Sequence, residues 1–262
     1  MRKLSYVSRV ARVIFVSLFL WCSSLLAQGS AGTNASVESR FLIDLPTAGI
    51  TPEGVVAIDV EFFQESGFLT GVSIGVLDRL MFGISYGGTQ VVGGGDPEWN
   101  DLPGFQFKAR LTQESAGFPA IALGIDTQGK EPYLEDPGRY TIKSMGAYIV
   151  GSKNYDLFGY LAIHAGLNYS FERVDGDKDI NAFASAEKTL GPFLSILGEY
   201  NLSSNDNSGE SLGKGRGYLN VGARVSFGFG VSLSLAFKDL LHNGQGETPG
   251  NRVIQLEFVN AP

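Results

Sequence analysis

Large apolar residues alternate with small or polar residues along most of the chain. In the stretch VLDRLMFGISYGG, Leu80, Phe82 and Ile84 share one face, whereas Gly83 and Ser85 share the other. A period of two is typical of a β-strand whose two faces meet different surroundings. The Asp78-Arg79 pair before this stretch leaves room only for a tight hairpin.

The same alternation recurs from residue 54 to the end and predicts an all-β protein. We assign twelve strands, with ten or fourteen as alternative counts. Each is close in length to the roughly 9–11 residues that a tilted membrane strand requires. The predicted strands are 54–64, 69–77, 80–88, 103–112, 119–127, 140–150, 157–171, 179–188, 193–202, 217–227, 230–238 and 251–259.

The connections between these strands differ in length by parity. Short connections follow the even-numbered strands: Asp78-Arg79, QESAGF, SKNY, TLGP and residues 228–230. Longer ones follow the third, fifth, ninth and eleventh strands, and ERVDGDK after the seventh is intermediate. This asymmetry is typical of outer-membrane barrels, which have short periplasmic turns and longer external loops. We therefore predict an antiparallel transmembrane β-barrel with both ends on the periplasmic side.

The chain begins with a basic stretch, MRKLSYVSRVAR, and an apolar run that ends near Ala27. This pattern predicts a cleaved secretory signal peptide over residues 1–27. We predict that residues 28–53 form a periplasmic linker. Its second part, RFLIDLPTAGITPEG, is apolar enough to dock, for example at the periplasmic mouth or against a periplasmic partner. Residues 54–262 then form the barrel, and the expected location is the cell outer membrane of a Gram-negative envelope.

Charge and cysteine content narrow the possible partners. The formal net charge is −7, and the signal peptide would remove four basic residues and no acidic ones. Nucleic acid is therefore excluded as an expected partner. The single cysteine, Cys22, would leave with the signal peptide, so we predict no disulfide and no thiolate metal site.

Aromatic residues are expected where the barrel meets the membrane surfaces. The ends of the predicted strands carry Tyr86, Tyr169, Phe171 and Tyr200 at one rim and Phe193, Phe227 and Phe258 at the other. Such positions are typical of interfacial girdles, so outer-membrane lipid is an expected partner. The last strand, RVIQLEFV, ends near the C-terminus on an aromatic residue, as expected of a substrate of the barrel-assembly machinery.

Polar and charged side chains occupy the face opposite the apolar one. They are costly in a dry core but tolerated in a wet, paired lumen. Two interpretations remain open: a salt-bridged lumen that holds the strand register, with Glu199 near Arg224 and Asp126 near Lys108 or Arg110, or a selectivity lining for a polar or charged solute. The candidate lumen-lining residues are Asp59, Glu61, Lys108, Arg110, Asp126, His164, Asn168, Glu199, Arg224 and Glu257.

Candidate catalytic chemistry is sparse. The two histidines are His242, in a predicted loop, and His164, which faces the lumen, whereas a lipid-cleaving barrel needs histidine beside a nucleophilic serine at the lipid-facing rim. The glycine-rich stretches GGGDPEW and GKGRG lack the strand–loop–helix setting of a phosphate site. We therefore predict a non-enzymatic protein with no catalytic residue, metal or cofactor.

Four stretches resemble the YjbH-like family of outer-membrane barrel proteins. They are RFLIDLPTAGITPEG, GVLDRLMFGISYGG, PGFQFKARLTQESAGFPAIALGIDTQG and the turn in YIVGSKNY, and the resemblance covers most of residues 40–155. Family members are associated with the production or export of exopolysaccharide. The resemblance thus implies a barrel with a role in polysaccharide export, and it supplies no catalytic residue to carry over.

These observations lead to one main hypothesis and two alternatives. The main hypothesis is a non-enzymatic outer-membrane barrel, acting as a pore or as an accessory factor in the export of a polysaccharide or small polar solute. The alternatives are a lipid-modifying outer-membrane enzyme and a structural or adhesive barrel.

Overall fold

The computed structural model describes residues 37–93, 95–244 and 251–260. The predicted signal peptide and the first part of the predicted linker, residues 1–36, lie outside these ranges. Within them, no helix has the length and apolar character needed to cross a membrane.

The described chain contains fifteen β-strands. The first eight are β1 (Val56–Phe63), β2 (Gly67–Val76), β3 (Leu80–Thr89), β4 (Glu98–Trp99), β5 (Gly104–Thr112), β6 (Ala120–Asp126), β7 (Lys130–Leu134) and β8 (Arg139–Ile142). The others are β9 (Gly146–Asp156), β10 (Tyr160–Tyr169), β11 (Asn181–Leu190), β12 (Leu194–Asn201), β13 (Tyr218–Gly228), β14 (Val231–Lys238) and β15 (Asn251–Asn260).

Twelve of these strands close into an antiparallel barrel. The order around the ring is β1, β2, β3, β5, β6, β9, β10, β11, β12, β13, β14 and β15, and β15 pairs with β1 to complete it. Closure leaves no unpaired strand edge, which is what a β-structure needs in order to span a bilayer. The structure therefore confirms the predicted barrel of twelve antiparallel strands.

The two faces of each strand differ as the alternation predicts. On β3, Phe82, Ile84 and Tyr86 point outward and are exposed, while Met81 and Ser85 point inward and are buried. The same arrangement recurs around the ring, so the outer surface is a band of large apolar side chains. An apolar exterior around a polar interior is characteristic of membrane-spanning barrels.

The predicted boundaries fail at one place. The sixth strand was expected over residues 140–150 with a turn at SKNY, but β9 runs from Gly146 to Asp156 and contains that tetrapeptide. Serine and asparagine usually favour turns. Here Ser152 and Asn154 face the polar lumen, where they are bonded and buried, and the turn follows at residues 157–159.

Loop lengths divide the barrel into two rims. The short turns, residues 77–79, 113–119, 157–159, 191–193 and 229–230, lie at the rim where β1 begins and β15 ends. The connections at the opposite rim are long, except the first, residues 64–66. We call these two ends the short-turn rim and the long-loop rim.

Three further strands lie outside the barrel wall. The strands β7 and β8 pair with each other inside the connection between β6 and β9. The two-residue strand β4 pairs antiparallel with the end of β3, and the Trp99 ring stacks on Tyr86 with centroids 5.8 Å apart. We call residues 127–145, 170–180 and 202–217, which pack together at the long-loop rim, the cap.

The outward position of Ile84 leads to a prediction about stability. We expect Ile84→Arg to lower the free energy of unfolding in lipid vesicles by about 2–4 kcal/mol, because a charge near the middle of the hydrocarbon layer loses its hydration. Leu102→Arg, in an exposed loop just before β5, should change it little. Equal effects of the two variants in a urea titration would contradict the assignment of the outer face.

Candidate functional site: the filled lumen

The chain before β1 folds back inside the barrel. Residues 38–51 form a hairpin, closed by an antiparallel bridge between Phe41 and Pro46 and by the bond from the Thr47 amide to the Arg40 carbonyl oxygen (3.1 Å). We call this segment the inner hairpin. The apolar second part of the predicted linker, RFLIDLPTAGITPEG, was expected to dock, for example at the periplasmic mouth or against a periplasmic partner. The structure instead places residues 38–51 within the lumen, where their side chains and backbone contact strands around the ring.

The turn of the inner hairpin is held by a carboxylate. Glu199, on β12, accepts hydrogen bonds from the backbone amides of Ile43, Asp44 and Leu45 at 3.0–3.1 Å. Asn220, on β13, donates to the same carboxylate at 2.8 Å. Three consecutive amides around one anion form a small anion-binding nest, in which the barrel provides the charge.

Three cations of the wall bind the carbonyl groups of the inner hairpin. Lys108 donates to the carbonyl oxygens of Arg40 and Gly49 at 3.0 and 3.1 Å. Arg110 donates to the Ala48 carbonyl oxygen at 3.1 Å and forms an ion pair with Glu38. Arg224 donates to the carbonyl oxygens of Phe41 and Leu42. The hairpin backbone thus supplies acceptors to cations and donors to an anion.

Arg40 is the inner hairpin's own charged contact with the wall. Its guanidinium forms ion pairs with Asp59 on β1 and Glu257 on β15, each at 2.6 Å, and donates to Ser73 at 2.7 Å. Asp59 and Glu257 lie directly opposite each other in the strand register. A single buried arginine therefore bridges two facing carboxylates.

Apolar contacts also hold the inner hairpin in the lumen. Leu45 and Ala48 cluster with inward residues of β6 and β9, including Val150, while Leu42 and Ile43 cluster with Leu197 and Ala236. Burial of a leucine or isoleucine side chain contributes about 1.5–3 kcal/mol. Gly75 lies against the carbonyl oxygens of Thr51 and Pro52, where a side chain would collide with the hairpin's backbone.

The structure places all ten candidate lumen residues on the inner side of the wall, but it pairs them differently from the prediction. The register sets Arg224 opposite Ser195 and Glu199 opposite Asn220. Asp126 bonds to Gln106 and the Gln128 amide, and Lys108 and Arg110 bind the inner hairpin. The expected Glu199–Arg224 pair was wrong, because each of the two side chains binds the hairpin backbone instead. Asp126 does lie close enough to Lys108 for an electrostatic interaction, as expected, but the hydrogen bonds of Lys108 go to the hairpin.

The remaining candidates also hold local structure. Asn168 donates to the Met145 carbonyl oxygen at 2.9 Å and accepts a bond from Asn181. Glu61 pairs with Lys130 of the cap at 3.3 Å. Asp59 and Glu257 share Arg40, as described above.

His164 lies beside a serine that the sequence analysis did not connect with it. The His164 Nδ1 atom is 2.7 Å from the Ser152 hydroxyl oxygen, and this oxygen accepts a hydrogen bond from the Ala48 amide at 2.8 Å. Both side chains are buried beneath the inner hairpin, on the face away from lipid. The pair therefore anchors the hairpin, in a position that lipid chains cannot reach.

The cap closes the long-loop rim with a second buried charge cluster. Arg139 is fully buried and donates to Asp175 and Asp206 at 2.6 Å, while Lys143 pairs with Asp175 at 2.7 Å. Burial disfavours the charged guanidinium, but the bonds to Asp206 and Asp175 outweigh it and raise the pKa of Arg139. Burial also raises the pKa of Tyr140 to about 12.

One lysine joins the cap to the inner hairpin. Lys238, at the end of β14, pairs with Asp44 of the hairpin at 2.8 Å and with Glu131 of the cap at 2.6 Å. Neither Lys238 nor Arg40 is among the ten candidate lumen-lining residues. Both are long cations beside apolar residues, a pattern that exposed positions share.

Small cavities remain in the filled lumen. One, of about 80 Å³, lies between the inner hairpin and the wall formed by β1, β2 and β3, where inward residues such as Gly71 and Ser73 are small. The space between the hairpin and the cap is about 20 Å³. Among the residues that the structure describes, no group of three or more histidine, cysteine, aspartate or glutamate side chains could hold a metal ion.

Comparisons with known proteins add little to this geometry. No protein-family model and no curated protein matches the sequence. Among solved structures, the chain is similar to the outer membrane protein Omp33 of Acinetobacter baumannii, with a TM-score of 0.38 and 9% sequence identity. The alignment covers 78% of this chain and 95% of that chain.

The nest at Glu199 leads to a prediction about the inner hairpin. We expect Glu199→Gln to raise the hydrogen-exchange rate of amides 43–45 about 10-fold or more, because a bond to a charged group contributes about 1.5–3 kcal/mol. Asp126→Asn, which changes a carboxylate bonded to the wall and the adjoining turn, should leave these rates unchanged. Exchange unaffected by Glu199→Gln, measured by mass spectrometry in detergent, would contradict the nest.

The cap gives a separate prediction. Arg139→Met should destabilise the cap by about 3–5 kcal/mol, because Asp206 would lose its buried cation. We expect faster proteolysis within residues 127–145 and 202–217 while the barrel keeps its heat-modifiable migration in gels. The matched control is Arg173→Met, which removes an exposed arginine stacked on Tyr169 and should have little effect.

Proposed function

We propose that this protein is an outer-membrane β-barrel that provides a gated route for a polar compound, without a catalytic step. The observation that carries the proposal is the inner hairpin, which fills a lumen whose wall is polar and charged. A wall of this kind suits hydrated solutes once the hairpin has moved. The apolar outer band and the closed strand ring support the location in a membrane.

The described conformation is the closed one. The inner hairpin occupies the lumen between β1 and β12, and the cap covers the long-loop rim. These two closures lie in series along the barrel axis, so flow requires both to open. Barrels with about eight strands are filled by their own side chains, whereas those with 16–18 leave an aqueous channel. A twelve-stranded barrel lies between these limits and can be filled by one hairpin.

The proposal also concerns the chemical class of the compound that passes through the barrel. The YjbH-like sequence resemblance over residues 40–155 supports an exported polysaccharide, with the barrel as pore or as accessory factor. The inner wall carries both signs of charge together with serine, asparagine and glutamine side chains, such as Ser73, Asn220 and Gln255. Such groups donate to and accept from hydroxyl groups, which suits a carbohydrate or another polar solute.

Conductance across planar lipid bilayers tests the proposal. We expect the unaltered protein to remain almost closed, because both closures are intact. Glu199→Gln with Arg224→Met weakens the bonds between the inner hairpin and the wall, and Arg139→Met weakens the ion pairs within the cap. Each set alone should open rarely, whereas the triple variant should show frequent openings, since barriers in series must be released together.

The matched control is Asp126→Asn combined with Arg173→Met, which changes the same kinds of side chain without removing a bond to the inner hairpin or a bond within the Arg139 cluster. We expect this control to stay as closed as the unaltered protein. If the triple variant shows faster exchange in the hairpin and faster proteolysis in the cap but still does not conduct, the barrel is structural and the gated route is excluded.

A further inference from the structure

Every short turn of the described barrel carries a large apolar residue that faces outward into the surroundings. These residues are Leu77, Phe118, Phe158, Phe193 and Phe229. Phe158 and Phe229 are 99% and 98% exposed, so the rest of the chain covers almost none of either ring. Exposed phenylalanine at the tip of a turn is unusual, because such tips normally carry small or polar residues.

At three of these turns the backbone conformation makes a large apolar residue still less expected. Leu77-Asp78, Phe158-Gly159 and Phe229-Gly230 each have positive φ at two successive residues. Tight turns with two successive residues of positive φ strongly favour Asn-Gly, Asp-Gly or Gly-Gly, because a bulky residue at positive φ is strained. Phe158 and Phe229, with φ of 50° and 53°, therefore adopt a conformation that asparagine would adopt more easily.

The long-loop rim provides an internal comparison. Its tight turn, residues 64–66, also has two successive residues of positive φ, but these are Glu65 and Ser66. The structure describes five more non-glycine residues with positive φ away from the short-turn rim. All five are polar: Gln90, Glu131, Ser203, Asp239 and His242. The apolar choice therefore follows the rim and not the turn geometry.

We propose that the tips of the short turns insert into the headgroup and glycerol layer of the phospholipid bilayer, as a ring of apolar anchors. This inference rests on the proposed membrane location, but it does not depend on whether the lumen conducts.

The first argument is continuity with the lipid-facing band. Phe227, on the outer face of β13, leads directly to Phe229 at the tip. The strands β12 and β14 have eight residues each, and at a tilt near 40° such a strand spans only about 20 Å, less than the apolar band of about 25 Å in this class of barrel. The turn tips extend the apolar surface beyond the strand ends.

The second argument is the distribution around the barrel. The five tips join β2 to β3, β5 to β6, β9 to β10, β11 to β12 and β13 to β14, which are successive pairs around the closed ring. Lipid surrounds a barrel on all sides, whereas a protein partner or a second copy contacts one sector. An apolar residue at five of the six successive strand pairs, all except β15 and β1, thus favours lipid as the occupant.

Tryptophan fluorescence in vesicles tests this placement. In a Trp21→Phe/Trp99→Phe background, single tryptophans are introduced as Phe158→Trp, Phe229→Trp or, as the matched control at the other rim, Glu65→Trp. The vesicles contain phosphatidylcholine with or without acyl chains brominated near the glycerol. We expect blue-shifted emission and strong bromine quenching at positions 158 and 229, and water-like, unquenched emission at position 65.

Three results would overturn the inference. The first is water-like emission at positions 158 and 229 that brominated lipid does not quench. The second is a blue shift that appears only as the protein-to-lipid ratio rises, which would indicate a second copy. The third is a blue shift without bromine quenching that requires added periplasmic extract, which would indicate a protein partner.

A stability measurement gives an independent check. If the tips were in water, Phe158→Asn and Phe229→Asn would relieve strain and stabilise the protein equally in thin and thick bilayers. With the tips in lipid, we expect both variants to unfold at lower urea concentration, with the larger shift in thicker bilayers, while Glu65→Asn shows no dependence on thickness. Absence of any thickness dependence for the two phenylalanine variants would overturn the inference.

Discussion

The interior of this barrel depends on the need of buried charges for partners. An inward ring of lysine, arginine and carboxylate side chains would be costly if each were left unpaired. The inner hairpin meets this need mainly with its backbone: amides for Glu199, and carbonyl groups for Lys108, Arg110 and Arg224. Because the wall binds peptide groups, the hairpin can pack apolar side chains such as Leu42 and Leu45 into the same lumen.

The sequence was sufficient to predict the architecture, for a physical reason. Lipid on one side and polar groups on the other impose a period of two on every strand, and this signal accumulates over twelve strands. It fails at SKNY, because a polar lumen accepts the same residues that turns favour. Only pairing with the neighbouring strands β6 and β10, together with contact with the hairpin, shows that Ser152 and Asn154 belong to β9.

The filling of the lumen could not be predicted in the same way. Every residue has a carbonyl group and every residue except proline has an amide N–H, so a segment that binds through its backbone carries no distinctive side-chain pattern. RFLIDLPTAGITPEG has the same composition whether it docks at the mouth or inside. The inward candidates, including Glu199 and Arg224, could be named from alternation, but their partners could not, since these come from a segment more than 150 residues away in the chain.

Arg40 has a consequence for the order of assembly. It lies across the junction of β1 and β15, the first and last strands of the ring, where Asp59 and Glu257 face each other. Two like charges directly opposite each other weaken a strand pair. The junction therefore gains its full strength only when Arg40 is in place, so closure of the ring is coupled to an occupied interior, and a barrel that closes empty leaves Asp59 and Glu257 facing each other without the guanidinium between them.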